Sequence, residues 1–139
     1  MASFNKINSF VEALSEKKHD LGSDVLKIML TNSAPIAANT VKANLTDIAA
    51  GNGYTAGGTT VTITTSAQTS GLYTLIGSDV VFTASGGSIG PFRYAALYNE
   101  TATNDELIGW WDYGSSITLL TGESLTVDLD PTNGILTVQ

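Results

Sequence analysis

Phe92, Tyr94, Ala96 and Tyr98 alternate with Arg93, Ala95, Leu97 and Asn99 through the middle of this chain. A period of two predicts an extended strand with two unlike faces. The same period recurs over Asp24–Leu30, where Leu26, Ile28 and Leu30 share one side and Val25, Lys27 and Met29 the other. Further strands are expected at Thr59–Thr65, Leu72–Ile76, Val80–Ala84, Leu107–Tyr113, Ile117–Leu120, Ser124–Leu129 and Ile135–Val138. Gly77-Ser78-Asp79 would join Leu72–Ile76 to Val80–Ala84, as a hairpin or as two separate short strands. Thr121-Gly122-Glu123 would pair the strands on either side of it. Pro91 is tolerable as the first residue of a strand, where its missing N–H costs nothing.

One segment breaks this period. Ser9-Phe10-Val11-Glu12 has the form of a capping box, and Phe10, Val11 and Leu14 follow at helical spacing. A helix is predicted from about Ser9 to Lys18, ended before Gly22. So short a helix is marginal alone and must pack on something. Thr31–Ala38 reads as a turn, and Val41–Ile48 fits either a strand or a single helical turn. Roughly eight or nine short strands separated by turn signals predict a mainly β fold, an antiparallel sandwich or small barrel with one short N-terminal helix. Residues 1–22 are expected to form an N-terminal arm carrying that helix, and 23–139 a single β domain.

Trp110 and Trp111 stand side by side in the Leu107–Tyr113 strand. Neighbours in a strand point to opposite faces, so the two cannot enter one core. On parity, Trp111 shares a face with Leu107 and Tyr113, and Trp110 with Ile108 and Asp112. Either both faces of the ribbon are covered and both rings are buried between sheet and helix or loop, or one tryptophan lies on the surface. In the second case we expect Trp111 in the core and Trp110 near a subunit or partner contact. Large exposed aromatics are interface anchors. Tyr98, Phe10 and Phe4 complete the set of candidate anchors.

The totals narrow the function classes. The chain has 139 residues and a formal net charge of -7, with only 14% charged residues. That length suits one domain with a core of its own. Five lysines and one arginine, Arg93, cannot cover much phosphate backbone, so no nucleic-acid partner is expected. No cysteine is present, which excludes a disulfide framework, a thiol nucleophile and a cysteine zinc site. No apolar run reaches the roughly 20 residues of a transmembrane helix, and Met1–Leu14 has no signal-peptide form. The expectation is a chain made in the cytoplasm, with no membrane partner.

Candidate chemistry is thin. His19, the sole histidine, follows Lys17-Lys18 and reads as a solvated residue at a helix end, with no nucleophile elbow elsewhere. Gly51–Gly58, GNGYTAGG, lacks the spacing of a phosphate cradle and reads as a mobile surface loop that Tyr54 could pin. Asp105, Glu106 and Asp112 flank the tryptophan strand, where acids beside aromatics suit a sugar site. Asp128–Gly134 is only loosely like a calcium loop and is ordinary turn chemistry. Neither catalytic residues nor a cofactor or metal site is assigned, and the chain is not expected to be an enzyme.

Three segments carry a resemblance: FNKINSFVEALSEKKHDLGSDVLKIMLTNSAP, LTDIAAGNGYTAGG and SIGPFRYAALYNETATNDELIGWWDYG. Together they resemble a family of small virion proteins of tailed bacteriophages, over nearly the whole chain. The resemblance implies a capsid decoration or cement role, with the major capsid protein or another virion protein as partner. It implies a homo-oligomer located in the virion, and a trimer would suit three-fold positions of the shell. The alternatives are a tail or baseplate component, including a carbohydrate- or receptor-binding module, and a hydrolase of cell-wall sugars.

Overall fold

The computed structural model describes residues Ala2–Gln139. It is mainly β, with antiparallel strands β1 (Phe4–Lys6), β2 (Leu26–Thr31), β3 (Thr59–Thr60), β4 (Ile63–Thr69), β5 (Leu72–Gly77), β6 (Val80–Thr83), β7 (Ile89–Asn99), β8 (Leu107–Leu119), β9 (Ser124–Val127) and β10 (Leu136–Val138). One helix, α1 (Phe10–Ser15), and a single 3-10 turn, Lys42–Asn44, complete the regular structure. The strands form a five-stranded sheet in the order β1-β8-β7-β2-β3, a three-stranded sheet β10-β5-β4 and a two-stranded sheet β6-β9.

The layers follow from which residues bury together. Leu26, Ile28 and Leu30 of β2 and Ala95 and Leu97 of β7 join Leu75 of β5, Phe82 of β6 and Val127 of β9 in one core. The two smaller sheets therefore cover one face of the large sheet, as in a β-sandwich. The opposite face is covered as well. Ile7, Met29, Leu45, Ala96, Tyr98 and Leu107 form a second, smaller cluster there. The connection after β2 supplies this cover, since Leu45 packs in the cluster while Leu107 and Ile48 donate amide hydrogen bonds to Thr40 and Leu30. Strands buried on both sides need apolar residues at nearly every position, and β2 and the second half of β7 have them.

Of three irregularities in the β7–β8 ladder, between Ile89 and Phe92, Phe92 and Tyr94, and Leu97 and Tyr98, the last two bear on the phase that simple alternation predicts. Across β7 and β8, Leu97 pairs Gly109 but Tyr98 pairs Leu107, which leaves Ile108 as the extra residue. Ile108 therefore turns into the main core, while Leu107 and Trp110 lie on the outer face. Trp111 does not share a face with Leu107, contrary to its parity. Farther along, Phe92 pairs Ile117 while Tyr94 pairs Asp112, so Tyr113–Ser116 bulge out of the ladder. Phe92 accordingly joins the main core with Ala95 and Leu97, instead of facing the same way as Ala96 and Tyr98. An odd number of extra residues, one at Ile108 and three within Tyr113–Ser116, reverses the side chains of the strand beyond it.

Pairing corrects the sequence expectation elsewhere. β5 does not form a hairpin with β6; it lies between β4 and β10. β9 does not pair with the end of β8; its partner is β6. The helix is shorter than Ser9–Lys18, and Ser9 caps nothing with its side chain because its own backbone is already helical at φ -70, ψ -7. Within the N-terminal segment, β1 is an edge strand of the large sheet, and Phe10 and Ala13 are buried.

Candidate functional site

The adjacent tryptophans divide between the faces. Trp111 is buried in the main core, with the Phe4 ring 5.0 Å away. Phe4 is held there by β1, which pairs Phe4 with Trp111 and lays its ring over Gly109. Trp110 is half-buried on the outer face, against the cluster of Met29, Ala96 and Tyr98. Its Cα lies opposite Ala96 on one side and Asn5 on the other. An indole there offers a large apolar face with one side supported by the fold.

Two other candidate anchors are core residues. Tyr98 is 1% exposed, its hydroxyl donates to the Gly57 carbonyl at 2.7 Å, and Lys42 Nζ lies 5.0 Å from its ring centre. Phe10 is 4% exposed and packs in the main core beneath α1. Neither can touch a partner in this conformation, because the second covered face and the docked helix take up their surfaces. Trp110 and Phe4 retain partly exposed rings.

His19 is buried, not solvated. Its Nδ1 lies 3.0 Å from Asn99 Nδ2, its ring lies 5.4 Å from that of Phe10, and its Nε2 is enclosed without a hydrogen-bond partner. Since the Asn99 amide nitrogen is a donor, the contact makes Nδ1 the acceptor and places the proton on Nε2. Burial lowers the His19 pKa from its ordinary value; Glu106 and Asp24 oppose that shift, and Lys18 adds to it. Asn99 Nδ2 also donates to Asp24 Oδ2 at 2.6 Å, and its Oδ1 accepts the amides of Thr101 and Ala102. The group ties the segment after α1 to the end of β7. The lysine pair beside His19 misled the sequence reading; an imidazole between Phe10 and Leu21 could have been read as apolar instead.

The acids beside the tryptophans do not converge. Asp112 receives a bidentate contact from Arg93, Nε to Oδ1 at 2.7 Å and Nη2 to Oδ2 at 2.9 Å. That guanidinium holds the Asp112 carboxyl below the usual range. Glu106 lies at the other end of the strand and accepts from the Asn104 amide. Six residues along a strand span about 20 Å, well beyond the roughly 5–9.5 Å between the two acids of a glycosidase. Asp130 accepts from the amides of Thr132 and Asn133, an Asx turn. No cluster of metal-ligating side chains occurs among the described residues.

The glycine-rich loop is fastened to the core. Tyr54 is buried, its hydroxyl donates to Asp47 Oδ1 at 2.5 Å and accepts from the Leu30 amide at 3.0 Å. Asp47 Oδ2 accepts from the Gly57 amide at 2.6 Å. A loop amide that an anion would need is therefore taken by a carboxylate of the chain itself. Gly58 carries φ +83, and a Cβ there would lie 1.8 Å from the Ile28 carbonyl oxygen.

An open cleft of about 490 Å³ lies between the end of α1 and the three-stranded sheet, lined by Leu14, His19, Leu21, Ser66, Tyr73 and Val138 among others. Among the described residues, no helix is long and apolar enough to cross a membrane. No family model, no curated protein and no solved structure matches the chain.

Proposed function

We propose that this chain is a structural protein of a tailed-phage virion, a decoration or cement protein held on the head by protein–protein contacts. The resemblance of the three quoted segments supports the reading. The observation that carries it is the half-exposed Trp110 on a sheet whose two faces are otherwise covered. A large aromatic on a rigid platform is what a small clamp between neighbours needs, because little ordering entropy is lost when it is covered. On this reading the major capsid protein is the principal partner, and the chain works as a building part with no cofactor, nucleic acid or membrane. Two of the three acids that suit a sugar site are engaged within the chain, Asp112 with Arg93 and Glu106 with the Asn104 amide.

Immunogold labelling or cryo-electron microscopy of virions tests the proposal. Density or label over the head surface is expected. Label confined to the tail would overturn the decoration role in favour of a tail or baseplate part, and absence from purified virions would overturn the whole reading.

A further inference from the structure

The β4–β5 hairpin touches the body only on one face, where Ser66 lies near Gly22 of the segment after α1. Every residue from Thr64 to Leu72 is exposed, on both faces of the ribbon, while Leu75 at its base is fully buried. β4 is the outermost strand of its sheet and hydrogen-bonds only to β5. Its outer row of backbone N–H and C=O groups is thus unpaired by any other element among the described residues. Such an edge is a template for another strand, and proteins that must avoid pairing blunt it with lysine, proline or a bulge. Neither lysine nor proline occurs in β4 or in the turn after it, and the one irregularity, between Ile63 and Thr65, sits at the base.

Charge and length point to the occupant. The chain carries a net charge of -7, so two copies repel each other in general. Between Asp47 and Asp79, however, no Asp, Glu, Lys or Arg occurs, and the hairpin falls entirely within that stretch. Pairing along it sets no charged residue of one hairpin against a charged residue of the other. β4 is also the longest edge strand, at 7 residues; the other edges of the three sheets run 2 to 4 residues. Among the described residues, no other edge matches β4 in length, so the edge that fits it is the β4 of a second copy.

We infer that two copies of this chain pair β4 to β4 in antiparallel fashion, joining their three-stranded sheets into one continuous sheet. An axis through Ser66, the middle of the strand, sets Thr65 opposite Ala67 and Thr64 opposite Gln68 of the second copy. Every such cross-strand pair is neutral, so no like charges face each other. The contact is isologous and closes at two copies, in contrast to the three-fold assembly that the resemblance allows. The inference rests on the virion reading only in naming a second copy as the partner, and it stands or falls separately: a chain that labels heads but never dimerises would lose this pairing and keep that role.

Sedimentation of the full chain over a concentration series tests it. The intact protein is expected to shift from monomer to dimer, with Ala67→Lys alone and Ala67→Glu alone both losing the dimer. An equimolar mixture of the two variants is expected to recover it, because opposite charges then meet across the axis. Since the chain has no cysteine, Ser66→Cys adds an independent reading: paired strands bring their Cα atoms within roughly 4.5–5.5 Å, close enough to oxidise to a disulfide. A crosslinked dimer is expected from Ser66→Cys and none from Thr137→Cys on the opposite edge strand. An intact protein that stays monomeric to millimolar concentration, a dimer unmoved by Ala67→Lys, or a mixture that fails to recover would each overturn the pairing.

Discussion

Tyr54 and Asp47 bind each other through a hydrogen bond of 2.5 Å, and between them they fasten the glycine-rich loop to the central strand β2. The tyrosine hydroxyl receives the Leu30 amide while the carboxylate's second oxygen receives the Gly57 amide. Burial and the neighbouring carboxylate push the Tyr54 pKa well up, so the phenol stays protonated through the ordinary pH range and keeps donating. Tyr54→Phe keeps the ring against Phe82 but leaves the Leu30 amide without its partner. A buried orphan of that kind costs about 1–3 kcal/mol. Urea unfolding of the variant should show that loss with an unchanged slope; an unchanged midpoint would mean that water replaces the hydroxyl at no cost.

His19 gives a stability that depends on pH. Its folded-state pKa is lowered, burial being the main cause, so the native state holds the neutral ring while the unfolded chain takes up a proton near the ordinary value of 6.5. The unfolded state binds more protons as the pH falls, and stability therefore drops below about pH 6.5 until the folded-state ring also protonates. The contribution is present above the unfolded pKa and lost as the pH descends. Urea midpoints between pH 7.5 and pH 5 should decline for the intact protein and stay flatter for His19→Gln. Parallel declines in the two would assign the effect to other groups.

Two glycines with nearly the same backbone angle should respond differently to alanine. Gly58 at φ +83 faces the Ile28 carbonyl, whereas Gly71 at φ +86 has nothing within 4 Å of where a Cβ would stand. Gly71→Ala meets only the left-handed backbone, a cost of about 1–2 kcal/mol. Gly58→Ala must also push the loop off β2, and should cost clearly more, about 3 kcal/mol or above. Thermal midpoints of the two variants, measured side by side, check the order; equal losses would show that the loop yields freely.

The tryptophans should separate in both stability and spectroscopy. Trp111→Ala removes a buried ring from the main core and should cost about 3–5 kcal/mol. Trp110→Ala removes a half-buried ring and should cost less. Iodide should quench the fluorescence of Trp111→Phe, which retains Trp110, more than that of Trp110→Phe. Equal quenching would place both indoles in equivalent surroundings.

The elements that could be read from the chain are those whose evidence is local. The Leu26, Ile28 and Leu30 alternation names β2, and Phe10 marks the buried side of α1. Side-chain direction was less legible, because it is counted along the strand and fails at the first bulge. Trp111 was placed in the core correctly, yet for a face that Leu107 does not share, since the extra residue at Ile108 lies between them. Partner choice was the least legible. Nothing near Ser124–Val127 says that its strand mate is Val80–Thr83. The burial of Tyr98 is illegible for the same reason: its cover comes from Lys42 and Gly57, which are distant in sequence, and no local periodicity reports it.

The order of strands in the large sheet also dictates when the protein can fold. Asn5 pairs with Trp110, 105 residues farther along. β1 thus has no place to go until nearly all of the chain has left the ribosome. β2 can meet β3 once Thr60 is made, but its longer pairing waits for β7, with Leu26 meeting Asn99. Pairings so distant are slow to find, because loop closure comes before any contact repays it. The nascent chain consequently carries β1 unpaired, and β2 paired only along its short contact with β3, until β7 and β8 are made and the large sheet closes.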